Sequence, residues 1–124
     1  MSMTLIVGGA GQGKLSYALA QFQLDETGVS RDPSHPAPIV ADLEEWLRDV
    51  EDPWPVLDRL LREWPDVAVL CREVGCGVSP MDEQDRIWRE RVGRVCCELA
   101  KRAGRVIRLC CGLPMALKGD AEWN

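Results

Sequence analysis

Residues Thr4 to Phe22 read TLIVGGAGQGKLSYALAQF, and this stretch decides the fold. An apolar run, Leu5-Ile6-Val7, breaks into a glycine-rich segment, and a helical pattern follows at once. Gly8 and the Gly13-Lys14 pair fit the G-x-x-x-x-G-K core of a phosphate-binding loop. Glycines let backbone N–H groups turn inward around an anion, and the next helix points its positive end at it. The candidate nucleotide-binding residues are therefore Gly8, Gly9, Ala10, Gly11, Gln12, Gly13, Lys14, Leu15 and Ser16. Lys14 would reach the β- and γ-phosphates as a mobile point charge.

Position 15 breaks the pattern. A phosphate loop usually carries Ser or Thr after its lysine, whose hydroxyl ligates magnesium. Leu15 has no oxygen to offer. Ser16 comes about 100° further round a helix of 3.6 residues per turn and does not take over that place, though it reaches an α-phosphate. Phosphate binding and metal-assisted phosphoryl transfer are thus separate expectations, with the magnesium weakened by Leu15.

Length and composition set the outer limits. A chain of 124 residues is near the common size for one core, so residues 1–124 are expected to form a single nucleotide-binding domain. At 46% hydrophobic and 28% charged residues it is globular. A net charge of -5 argues against general affinity for nucleic acid or an anionic membrane, both of which want a basic surface. No apolar run is long enough to span a bilayer, and the start MSMTLIVGG lacks a secretory pattern, so a cytoplasmic location is expected. Cys71, Cys76, Cys96, Cys97, Cys110 and Cys111 include no C-x-x-C pair, and His35 is far from them in sequence. Adjacent cysteines on a strand point to opposite faces, which makes Cys110 and Cys111 a poor chelate. Buried, reduced thiols and no metal site are the expectation.

The rest of the chain alternates. A helix from about Gly13 to Phe22 puts Leu15, Ala18, Leu19 and Phe22 in one stripe. Residues 25–38, DETGVSRDPSHPAP, read as an aperiodic loop, and His35 as a solvated histidine within it. Pro38 to Asp42 is a short buried strand ending in an acid. Asp42 stands where a metal-organising aspartate sits in phosphate-loop enzymes, and equally where an N-cap with Glu45 behind it would start the helix Leu43–Val50. Pro53 to Pro55 interrupts, and Val56–Trp64 is an amphipathic helix. Val67 to Cys71 is a near-continuous apolar strand of the kind buried on both faces. Arg72 and Glu73 lie just past its end, where ligand sites collect in open α/β sheets. A helix starting at Asp82 or Asp85 presents Trp88, Val92, Val95, Cys96, Leu99 and Ala103 on one face and ends at Gly104. Val106 to Cys111 is the last expected strand, closed by Gly112-Leu113-Pro114, and Lys118 shows no pattern. Such alternation means crossover connections. The expected fold is α/β: a P-loop NTPase-like open parallel sheet of about four main strands flanked by helices.

Three stretches carry a family resemblance: the loop Val7–Lys14, the segment Arg72-Glu73-Val74-Gly75-Cys76-Gly77-Val78-Ser79-Pro80, and Arg91–Val95 followed by Gly112–Lys118. The chain resembles the bifunctional adenosylcobinamide kinase/adenosylcobinamide-phosphate guanylyltransferase family of cobalamin biosynthesis. The second stretch is similar to its N-E-V-G-x-G-x-x-P segment, with Arg72 in place of Asn. The resemblance implies ATP or GTP as nucleotide, a corrinoid hydroxyl as acceptor, and an oligomer, for which five tryptophans leave apolar surface. It assigns phosphate neutralisation to Lys14, and the placing of magnesium or acceptor to Asp42 or Glu73.

The chain also departs from the family. The family's D-C-L-T-x-W-L segment corresponds to Ala41–Leu47, so its acid falls on Ala41, with Asp42 one residue late and on the opposite strand face. The family's insert bearing a guanylylated histidine is reduced here to residues 25–38, and His35 lacks its flanking residues. The resemblance therefore implies a shortened member with kinase-like chemistry and without the guanylyltransferase step. The second reading is a non-catalytic nucleotide-binding module that regulates or assembles with a cobalamin-pathway partner. An unrelated phosphate-loop kinase for a small metabolite is the third.

Overall fold

The computed structural model describes residues 2–74 and 82–119. At its centre is β1, Thr4–Gly8, whose consecutive Leu5 and Ile6 are both buried, so both of its faces are covered. It pairs in parallel with β4, Ala68–Arg72, on one side and with β5, Arg105–Cys110, on the other. Outside β4 lie the short parallel strands β3, Ile39–Val40, and β2, Val29–Ser30. Beyond β5 the chain reverses into an antiparallel strand, β6, Leu113–Lys118. The sheet thus has six strands in the order β2-β3-β4-β1-β5-β6, and the fold is the expected α/β, P-loop NTPase-like one.

Helices cover both faces. On one, α1, Lys14–Phe22, buries Ala18 with Leu15, Leu19 and Phe22 beside it, against Ile6, Ile39, Leu70 and Leu109. On the other lie α2, Leu43–Trp46, α3, Trp54–Glu63, and α4, Glu83–Arg102. Leu57, Leu60, Trp88, Val92, Val95 and Leu99 from these helices close over Leu5, Val69, Cys71 and Val106. The cap at Asp82 is real: its carboxylate accepts the Asp85 N–H at 2.8 Å. β1 is followed by a helix on one face and its neighbour β4 by a helix on the other. A crevice therefore opens beyond the carboxyl ends of these two strands. There the Glu73 N–H donates to the Gly8 carbonyl at 2.9 Å.

Several local expectations change. The segment 25–38 is not featureless: it holds a 3-10 turn at Glu26–Gly28 and β2, both too short for a periodic signal. The second helix stops at Trp46, well before Val50, and Trp54 and Pro55 belong to the third, proline being compatible with a first helical turn. Leu113, Met115 and Leu117 alternate along β6, but they are 70%, 51% and 57% exposed, so their period marks a strand without marking a core face. Lys118 has a job after all. Its ammonium donates to the carbonyls of Ala100 and Lys101, each at 3.1 Å, in the last turn of α4. Of the cysteines described, only Cys71 is buried; Cys96 is half-buried, and Cys97, Cys110 and Cys111 are exposed, against the expectation of buried thiols. Cys111 has a φ of 53° and sits in the β5–β6 turn, so strand alternation does not govern it. Cys76 lies outside the described residues. Among the described residues no helix is long and apolar enough to cross a membrane.

Candidate functional site

The glycine loop leaves the end of β1 in the crevice. Gly8 cannot carry a side chain, because a Cβ there would meet the Leu109 carbonyl of β5 at 2.7 Å. Gly11 and Gly13 adopt φ of 72° and 89°, the left-handed region that glycine enters freely. Gly13 is the N-cap of α1, no side chain caps that end, and no acid stands in its first turn. The first-turn N–H groups are left for a ligand, with the helix dipole behind them. Lys14 folds back over the loop: its ammonium donates to the Gly8 carbonyl at 3.2 Å and the Gly9 carbonyl at 2.9 Å. Ala10 is exposed at the loop's tip.

A cavity of about 230 Å³ opens in front of this helix end, lined by residues 11–16 together with Arg31, Ala41, Asp42 and Leu70. β3 ends at Val40, so the strand alternation expected to set Asp42 apart from Ala41 no longer applies, and both border the cavity. Asp42 has a φ of 57°, a conformation Asp tolerates better than most residues. It occupies the N-cap position of α2, yet its side chain makes no capping bond. Its Oδ2 accepts instead from Arg31 Nε at 2.8 Å. Asp42 thus stands at the N-cap position without capping, and it borders the cavity.

Glu73 does not join this group. Its carboxylate is held by Arg108, Nε to Oε1 at 2.9 Å and Nη2 to Oε2 at 3.2 Å, and lines a separate groove under α4. The neighbouring Arg72 N–H donates to the buried Glu44 carboxylate at 2.8 Å, and Trp88 Nε1 donates to the Glu44 carbonyl at 2.7 Å. These bonds pin the start of α2, and with it Asp42, to the ends of β4 and α4. His35 is 83% exposed in its side chain and lies 3.1 Å from Asp32 Oδ2, outside the cavity lining.

The donors present do not make a magnesium site. Leu15 packs toward Ile6 and Ala18, Ser16 offers one hydroxyl, and the one carboxylate lining the cavity, that of Asp42, is already matched by Arg31. No group of three or more metal-ligating side chains occurs among the described residues. Positive charge is what the cavity supplies, from Lys14 and Arg31. Sequence reading missed Arg31 because it lies in the segment taken as a plain loop. The signal was there: it is that segment's one arginine or lysine. Reading also missed that Gln12 reaches out of the loop, its Oε1 accepting the Cys111 N–H and its carbonyl the Gly112 N–H at 3.1 Å.

No curated protein matches the chain. A family model described as cobinamide kinase / cobinamide phosphate guanyltransferase matches residues 39–117, more than half of the sequence. The match spans β3 to β6 and takes in Asp42, Glu44 and Glu73, while the glycine loop precedes it. The chain belongs to the cobinamide kinase / cobinamide phosphate guanyltransferase family.

Proposed function

We propose that this protein binds ATP or GTP at the glycine loop and transfers the terminal phosphoryl group to a hydroxyl of a cobinamide-type corrinoid. One observation carries the reading: an uncapped helix end and the Lys14 ammonium face the same cavity as Arg31 and Asp42. On binding, Lys14 exchanges the Gly8 and Gly9 carbonyls for phosphate oxygens, and Arg31 turns from Asp42 to the phosphates. The Arg31 exchange costs little, because an exposed ion pair is worth only about 0–1 kcal/mol. The freed Asp42 accepts the acceptor's proton as its oxygen attacks the terminal phosphorus and the bond to the nucleoside diphosphate breaks. Phosphoryl transfer rests mainly on positioning and charge neutralisation, which two cations provide. Glu73, tied to Arg108, has no part in this scheme. Nor does His35, so guanylyl transfer through a covalent histidine is lost.

A second reading is favoured by Leu15: a module that keeps the cradle but does no chemistry. Incubation with labelled ATP or GTP, magnesium and adenosylcobinamide separates the two. Phosphorylated corrinoid supports the transferase; tight nucleotide binding without product leaves the module. Lys14→Ala abolishes triphosphate binding under either reading, and a variant that binds normally would overturn both.

A further inference from the structure

The β5–β6 connection is a two-residue turn, with Cys110 paired to Leu113 across it. Its central residues, Cys111 and Gly112, both have positive φ, 53° and 77°. Such turns select Asn or Gly at the first central position, because a side chain there is strained. This chain places a cysteine there, beside a second one, and both thiols are exposed. The turn also touches the glycine loop. Gln12 takes the N–H groups of both Cys111 and Gly112, and the Gly112 Cα lies 3.6 Å from where a Cβ on Gly13 would stand.

We propose that Cys110 and Cys111 are a redox modification site whose closure to a disulfide loosens the glycine loop. The co-reactant is a low-molecular-weight disulfide. The thiolate of Cys111 attacks one of its sulfurs, a new S–S bond forms, the old one breaks, and one small thiol leaves. The thiolate of Cys110 then attacks the Cys111 sulfur and expels the second small thiol. The protein loses two hydrogens and two electrons, and the small disulfide is reduced to two thiols. A bridge between neighbours closes an eight-membered ring that contains the Cys110–Cys111 peptide itself, so closure resets ψ of Cys110 and φ of Cys111 and turns that peptide. That rotation takes its N–H away from Gln12, and the support of Gly13 goes with it.

The effect on nucleotide rests on the function proposed above; the modification and the loosening do not. The test treats the reduced full-length protein with oxidised glutathione, maps disulfides by mass spectrometry, follows amide exchange in residues 9–13, and measures ATP and GTP affinity before and after dithiothreitol. The expected result is a Cys110–Cys111 bridge, faster exchange in the loop, and affinity about tenfold weaker, the scale of one lost hydrogen bond. Dithiothreitol restores both, and C110S, which cannot close the ring, shows neither. A stable glutathione adduct without a bridge, or a bridge with unchanged exchange, overturns the proposal. If the reduced protein binds neither nucleotide, the proposed function fails, and the exchange data alone decide the redox site.

Discussion

Arg31 Nε donates to Asp42 Oδ2 at 2.8 Å across the mouth of the loop cavity, with the two side chains 54% and 49% exposed. A pair this wet holds no measurable part of the fold together, so its residues are free to serve a ligand. Arg31→Ala should leave the urea midpoint unchanged and weaken triphosphate affinity about tenfold, the usual scale for one charge-assisted contact. Asp42→Asn should keep binding and lose turnover. Calorimetry beside a product assay reads the split, and equal loss of both in D42N would count against Asp42 as proton acceptor.

Leu15→Ser returns the hydroxyl that phosphate loops use for magnesium. Triphosphate affinity should become more magnesium-dependent. Stability should fall by about 1 kcal/mol, because half-buried packing against Ala18 and Ile6 is lost. A titration with and without the metal reads the first effect, and an unchanged dependence would mean that the missing hydroxyl is not the defect.

Gly8→Ala drives a methyl group into the Leu109 carbonyl, 2.7 Å from the ideal Cβ position. Backbone cannot yield as a side-chain tip does. A cost of about 1–3 kcal/mol is expected from overpacking of this kind, visible in denaturant unfolding.

Lys118→Met keeps the length of the side chain and removes the ammonium that caps α4 at Ala100 and Lys101. The expected loss is about 0.5 kcal/mol, shrinking as salt is raised. Thermal melts at two ionic strengths measure it.

The hydrogen bond with Cys96, reinforced by burial, pushes the Cys71 thiol well above the usual range, and the same bond draws Cys96 below it. A lowered pKa means more thiolate at a given pH. Alkylation of the reduced protein between about pH 6 and pH 9 should therefore modify Cys96 on a curve displaced to lower pH, while Cys71 stays unmodified. Peptide mapping that finds Cys71 alkylated first would refute the assignment.

How much of this was legible beforehand follows from the range of each interaction. β1, the loop and α1 are written locally, in an apolar run, glycines and a helical stripe from Leu15 to Phe22, and they stand where the sequence put them. The buried strand at Val67–Cys71 and the face of α4 were equally plain, since burial on both sides or on one stripe dictates their composition. Asp42 was visible as a candidate, but its backbone conformation was not, because a left-handed turn at an aspartate leaves no trace in residue order. The pairing of Arg31 with Asp42, the Glu73–Arg108 pair and the reach of Gln12 to Cys111 were illegible for one reason. Each joins residues from different elements, and only the sheet order brings them together.

The bond from Gln12 to the Cys111 amide spans 99 positions of the chain. In a nascent polypeptide emerging from the ribosome, the glycine loop therefore lacks its anchor at Gln12 until the far hairpin has been made. A chain stopped short of residue 111 would carry the loop's letters without the partner that holds Gln12.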